Sequence, residues 1–169
     1  MAAPTDTKSC VCGRSLAFWA SVTVKQSKYN HGAHTVYRLQ YHLVWIPKYR
    51  KRILRGDVVL RLKKLFYECA AMNDWWIAKL NIMPDHVHML VQLPPTTTVA
   101  NAVKIFKGGS SRSIRAVMPE LQEWLWGDSF WATGYFAESV GRANEQVIQN
   151  YIENQRDKPG MPQQRSLGL

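Results

Sequence analysis

Asp85-His86-Val87-His88 is the segment whose residue types and spacing point most directly to chemistry. Side chains two apart on a strand face the same way, roughly 6.6 Å apart along it. His86 and His88 can therefore converge on one divalent ion while Val87 faces a core. The pair alone also describes ordinary surface histidines. No Cys-x-x-Cys or His-Glu-x-x-His pattern accompanies it, which argues against a structural zinc site. A second segment, Gln149-Asn150-Tyr151-Ile152-Glu153-Asn154-Gln155, places Tyr151 and Gln155 four apart, on one helical face. A phenol is a poor nucleophile unless a metal or base assists it. A neutral amide oxygen is an acceptable hard ligand beside two imidazoles. The same tyrosine, beside Val147, Ile148 and Ile152, also reads as a core aromatic, and Gln155 as a solvated side chain. Neither segment is decisive alone; together they suggest a metal site with a poised phenol.

A third feature mixes basic side chains with aromatics. Lys48, Tyr49, Arg50, Lys51, Arg52 and Arg55 form one cluster. Lys104, Lys107, Arg112 and Arg115 form another around Gly108-Gly109-Ser110-Ser111. Ammonium and guanidinium groups neutralise phosphates, the N–H groups of a Gly-Ser turn can cradle one, and aromatic faces stack unpaired bases. The whole chain leans the same way: 169 residues carry 22 Lys and Arg against 12 Asp and Glu, a net charge of +10. Residues 1–28 hold four basic residues and one acidic, so most of the excess belongs to residues 29–169. Such a balance suits a polyanionic partner, though basic solvated surfaces have it too.

Composition bounds the rest. At 46% hydrophobic and 20% charged, the chain is a foldable protein with room for one core. Three cysteines, of which Cys69 alone lies beyond the first dozen residues, cannot form a disulfide framework and fit a reducing, cytoplasmic setting. No apolar run approaches the roughly 20 residues that span a bilayer. Leu16 to Val24, behind Lys8 and Arg14, has the layout of a secretory signal, but no small-residue cleavage site follows. Residues 1–28 are expected to be a poorly ordered extension or the product of an upstream start, and 159–169, with Pro159, Gly160 and Pro162, a mobile tail.

The elements that must position these residues follow from periodicity. Thr35 to Ile46 is dense in β-branched and aromatic residues and closes at Pro47, a strand. Val58, Val59, Leu62, Leu65, Phe66 and Cys69 repeat at helical spacing to about Asn73. Trp75–Met83 and His86–Leu93 read as a hairpin around Pro84-Asp85. Thr96 to Thr98 offer caps for a helix from Val99 to about Lys107, which Gly108-Gly109 interrupts before Ser110–Met118 resume. Phe130–Ala137 is a fourth strand and Gly141–Gln155 a last helix. Strand, helix, strand, strand, helix, strand, helix is a ferredoxin-like (RRM-like) split β-α-β layout: an α+β sandwich with a four-stranded antiparallel sheet and an extra C-terminal helix. The folded domain is expected over 29–158.

In combination these residues resemble a known family. Tyr41-His42-Leu43-Val44-Trp45 with Lys48-Tyr49-Arg50 is similar to the opening strand and loop of the single-tyrosine HUH transposases, the TnpA-type enzymes of insertion sequences that move as single-stranded DNA. His86-Val87-His88, preceded by Asp85, matches their His-hydrophobic-His motif, and Tyr151-Ile152-Glu153-Asn154-Gln155 their nucleophile helix. The resemblance runs from about Tyr29 to Gln155, and residues 1–28 have no counterpart in it.

The resemblance implies that His86, His88 and Gln155 hold Mg²⁺ or Mn²⁺. Tyr151 would attack a phosphodiester, join the 5′ phosphate covalently and release a 3′ hydroxyl. Because the phosphotyrosine keeps the bond energy, no nucleotide cofactor is needed. It also implies a homodimer acting on DNA hairpins near the element ends, with active sites shared between subunits, and gives Gly141 the place of a hinge. Asn154, three residues from Tyr151, can face the same side, and Gln155 is favoured over it. His42 is an accessory contact or, more commonly for such a residue, a packed strand histidine. Two other readings keep the fold: a hairpin-binding module without catalysis, and a metal-dependent nuclease in which water attacks. A covalent adduct separates the transposase from both.

Overall fold

Apolar and polar residues alternate along the central strands and give the sheet two unlike faces. The computed structural model describes residues 29–32, 34–118, 129–141 and 144–154. In chain order these form β1 (Asn30–His31), β2 (Val36–Tyr37), β3 (Gln40–Trp45), a 3₁₀ turn at Lys48–Arg50, α1 (Asp57–Met72), β4 (Trp76–Met83), β5 (His86–Gln92), α2 (Val99–Val117), β6 (Phe136–Val140) and α3 (Glu145–Asn154). β3 to β6 make an antiparallel sheet ordered β4-β5-β3-β6, with β1 and β2 in a separate two-stranded ribbon. This is the expected split β-α-β sandwich. The expected extension 1–28 and tail 159–169 lie outside the described residues.

Cross-strand register fixes what each face carries, because directly opposed residues share a face. On one side Leu43 and Trp45 of β3 and Val87, Met89 and Val91 of β5 are buried against Leu62 and Phe66 of α1 and Val103 and Phe106 of α2. Trp45 makes edge contacts with Phe66 and Trp131, with centroids 5.6 and 6.1 Å apart, and stacks on Phe106 at 6.5 Å. Such aromatic pairs add about 0.5–1.5 kcal/mol each beyond the area they bury. The opposite face carries Gln40 and His42 of β3, His86, His88 and Gln92 of β5, and Asn81 of β4. A small apolar cluster of Leu90, Val140 and Ile152 helps seat α3 there.

Four expectations change. The strand expected over Thr35–Ile46 is two: Val36 and Tyr37 pair with His31 and Asn30, and the chain leaves that ribbon through Arg38 and Leu39 before β3 begins. α2 runs unbroken through Gly108-Gly109, because Val103, Phe106, Ser110 and Ile114 keep one helical face buried across the glycines. That burial outweighs the roughly 1 kcal/mol that a mid-helix glycine costs. No Gly-Ser turn exists there to cradle a phosphate. The fourth strand is Phe136–Val140 rather than Phe130–Ala137: Phe130 and Trp131 are core side chains, and Trp131 only bridges Pro47. The last helix begins at Glu145, with Gly141 and Asn144 outside it, and is described to Asn154; Gln155 lies outside the described residues.

Candidate active site

His86 and His88 occupy alternate positions of β5, on the polar face of the sheet, with ring centroids 4.8 Å apart. Met83 and Asn81 of β4 lie opposite them, and Val44 of β3 lies across from His88. Each ring is oriented through Nδ1. Asp85 Oδ1 is 2.7 Å from Nδ1 of His86, and Nε2 of His42 is 3.0 Å from Nδ1 of His88. Outer-shell partners of this kind fix a ligating imidazole's tautomer and direction. Nε2 is then the nitrogen that each would turn toward an ion.

Asp85 links two parts of the site. Its other oxygen, Oδ2, accepts from Arg50 Nε at 3.2 Å. Burial alone would raise the Asp85 carboxyl; the hydrogen bond and charge of His86, then those of Arg50, outweigh it and hold the pKa below the ordinary aspartate value. Arg50 and Tyr49 have left-handed backbone, φ 50° and 59°, a conformation that costs a non-glycine residue about 1–3 kcal/mol. The loop thus stores strain where its arginine reaches the histidine strand. His42 is pushed below the usual histidine value by burial, against the opposing pull of Glu138, its partner on β6.

α3 brings Tyr151 to this face. Its ring meets that of His88 edge-on, with centroids 5.9 Å apart, and remains 44% exposed. Ile152, fully buried against Leu90 and Val140, anchors the helix. Asn81 Nδ2 donates to the Ile152 carbonyl at 2.8 Å. Ion pairs Lys79–Glu153 and Arg38–Glu145 hold the two ends of the helix. Tyr151 therefore sits against His88 of its own chain. The described part of the site presents two imidazoles and a phenol. Among the described residues no three His, Cys, Asp or Glu form a group that could hold an ion. The donor set fits a divalent ion if an amide such as Gln155 completes it, and that residue lies outside the described residues.

The basic residues divide into exposed and committed. Tyr49 is 65% exposed, with Lys48 Nζ 5.1 Å from its ring centroid, and Arg52, Lys104 and Arg112 are exposed. Lys51 is partly buried beside them. Lys107 is spent on structure: its ammonium donates to the carbonyls of Ala132, Thr133 and Gly134 at 2.6, 3.0 and 3.2 Å, and burial lowers its pKa. Ser110, expected to face DNA, is 3% exposed. Its hydroxyl donates to the Phe106 carbonyl at 2.6 Å and accepts from Trp131 Nε1 at 2.9 Å, so it belongs to the core. Ser111 Oγ accepts from the Phe130 amide at 3.4 Å. The amide of Lys48 in turn donates to the Phe130 carbonyl at 2.9 Å. The two basic clusters are thereby joined through one segment, beside a groove of about 400 Å³ lined by Lys104, Lys107, Ser111, Trp131 and Tyr135. Gly141 is exposed after β6 and is not among the positive-φ residues, so no backbone strain requires glycine there.

Sequence reading did not find Asn81, Lys79, Arg38 or Glu145. The available signal was strand alternation, which puts Lys79 and Asn81 on one face. Their partners depend on where α3 docks, and that is tertiary information.

Comparison with known proteins identifies the family. The model of the family described as "Transposase IS200 like" matches residues 35–155. The chain is 39% identical over 127 residues to the ISDra2 transposase TnpA of Deinococcus radiodurans, covering 75% of this chain and 91% of that protein. It is 30% identical over 135 residues to the transposase for insertion sequence element IS200 of Salmonella typhimurium, covering 80% and 88%. Among solved structures, a candidate transposase from Deinococcus radiodurans superposes with a TM-score of 0.63 at 36% identity, over 75% of this chain and 97% of that one. A REP-associated tyrosine transposase bound to a REP hairpin shares the fold, with a TM-score of 0.53 at 11% identity over 72% and 70%. With a histidine pair and a tyrosine in contact on this fold, the chain belongs to the IS200-like family of single-tyrosine transposases.

Proposed function

We propose that this protein cleaves and rejoins single-stranded DNA at the ends of its insertion element through a covalent 5′-phosphotyrosine, with Tyr151 as nucleophile. The contact of the Tyr151 ring with His88 carries the reading. It joins the one exposed phenol of α3 to the His-x-His pair, an association that packing does not require. The phenolic oxygen attacks phosphorus, a Tyr151 Oη–P bond forms and the P–O3′ bond breaks. In balance, the phenolic proton is the one found on the released 3′ hydroxyl. That hydroxyl, or another, reverses the step on the phosphotyrosine and rejoins DNA.

Mg²⁺ or Mn²⁺ held by His86, His88 and Gln155 would supply positive charge that polarises the phosphodiester and offsets charge developing in the transition state. Asp85 and His42 orient the two imidazoles, and Asn81, Lys79 and Arg38 keep Tyr151 beside them. Lys48, Tyr49, Lys51, Arg52, Lys104, Arg112 and the Ser111 edge of the groove contact the DNA, phosphates through charge and splayed bases through the aromatics. Arg50 approaches the scissile strand from its place beside Asp85. The hairpin bound by the REP-associated relative supports subterminal DNA hairpins as the recognised form.

A homodimer fits the exposed edge strand β6, where Phe136 is 45% exposed. Gly141, ahead of α3, is the place from which that helix would swing toward a partner subunit. The proposal is tested by whether single-stranded hairpin DNA becomes covalently attached to the protein in a manner that needs both Tyr151 and a divalent ion.

A further inference from the structure

His42 lies on the same face as the histidine pair, 7% exposed, its ring within 9° of parallel to that of His88 and their centroids 5.2 Å apart. Its Nε2 and Nδ1 of His88 are 3.0 Å apart. Two imidazole nitrogens sharing one hydrogen bond have one proton between them, so there are two arrangements. If His42 Nε2 carries it, His88 is protonated on Nε2 and cannot offer that nitrogen to a cation. If His88 Nδ1 carries it, His42 Nε2 accepts and the lone pair of His88 lies on Nε2. At His86 the same choice is already made, because an aspartate carboxylate such as Asp85, which also accepts from Arg50, can only accept from Nδ1–H.

Resting on the reading of His86 and His88 as an ion-binding pair, we infer that His42 is a positioning residue: it accepts from His88 Nδ1–H and holds His88 in the tautomer whose Nε2 lone pair is presented to the ion. His42 is the counterpart of Asp85, so each ligand has its own acceptor. An imidazole in place of a second carboxylate performs this role without adding negative charge beneath the site. Phe136, edge-on to His42 with centroids 6.0 Å apart, helps fix the ring.

The test uses the full chain, metal-free, with histidine ¹⁵N-labelled. Long-range ¹H–¹⁵N correlation should show His88 protonated on Nδ1 with a pyridine-type Nε2. His42→Phe keeps the ring volume and removes the acceptor. It should redistribute the His88 tautomer and weaken Mn²⁺ binding by 10–100-fold, the usual loss when an outer-shell partner is removed. Thermal midpoint and hairpin binding should remain near the parent's. His42→Gln, whose amide oxygen reaches about as far as Nε2, should restore most of the affinity. A His88 proton on Nε2 in the parent protein, with Mn²⁺ bound normally, overturns the role of His42 and leaves the ion site intact. Parent protein that has the expected tautomer but binds no Mn²⁺ overturns the proposal together with the ion reading. Should His42→Phe not fold, the parent spectrum and His42→Gln decide: a glutamine variant that folds but binds Mn²⁺ no better than a His88→Ala control overturns the assignment.

Discussion

Asn81 Nδ2 donates to the carbonyl of Ile152 at 2.8 Å from the strand position directly opposite His88. One side chain thus ties the helical turn that holds Tyr151 to β4, the strand paired with the one that carries the histidines. The proposed nucleophile and its proposed ligands are related through a single cross-strand step. Replacing Asn81 by Leu keeps the volume and removes the donor. It should cost about 1–3 kcal/mol, the penalty for leaving a buried carbonyl unpaired. Single-turnover cleavage should slow while hairpin affinity holds. Thermal melts and cleavage kinetics check both parts, and unchanged cleavage would show that Asn81 does not set the Tyr151 position.

His86→Ala should reduce metal-dependent cleavage by more than the 10–100-fold that outer-shell losses cost, because it removes a proposed ligand itself. EDTA should have the same effect on the parent protein. Hairpin binding, which the proposal assigns to the basic clusters, should change little. Cleavage assays with Mg²⁺ or Mn²⁺ titrated against each variant provide the comparison. Full activity in EDTA would remove the ion from the account.

The basic residues should divide by what they already hold. Arg52→Met should reduce the salt dependence of hairpin binding by about one unit of slope, as loss of a single phosphate contact does. Lys107→Met should leave that slope unaltered, because its ammonium is engaged by three carbonyls. It should instead lower stability by about 1.5–3 kcal/mol, the range for hydrogen bonds to a charged group. Binding isotherms at several salt concentrations and denaturant titrations measure the two effects separately.

Gly108 and Gly109 give a test of α2 itself. Both lie inside a continuous helix, and a Cβ at either would meet nothing within 4 Å. Alanine at either position should stabilise the protein by about 0.5–1 kcal/mol. A turn at these residues would make alanine destabilising, so the sign of the change in urea midpoint decides the matter.

Much of this architecture was legible in the sequence alone. The His86–His88 pair, the Tyr151 helix and the order of strands and helices follow from alternation and helical spacing, which are local. A cap for α2 among Thr96 to Thr98 was legible for the same reason, and the structure makes it Thr98, whose hydroxyl accepts from the Asn101 amide at 3.2 Å. What sequence misjudged was decided by burial. Gly108-Gly109 looked like a break because propensity is local, whereas the buried face through Phe106, Ser110 and Ile114 is not. Phe130-Trp131 looked like a strand because a short aromatic run reads alike in a strand and in a core loop. Ser110 and Lys107 looked available to DNA, and each is held by a partner more than twenty residues away in the chain, Trp131 or the Ala132–Gly134 carbonyls. The link between His42 and His88 depends on register, which no single strand encodes.

The most direct test of the central claim is a denaturing gel of the protein with labelled single-stranded DNA carrying the hairpin and flank of its own element's end. It would be run with Mg²⁺ or EDTA and with Tyr151→Phe in parallel. The account predicts a slow protein–DNA band that requires both the ion and Tyr151, and that is absent with duplex DNA. Free cleaved product without that band, or an undiminished band from Tyr151→Phe, would contradict it.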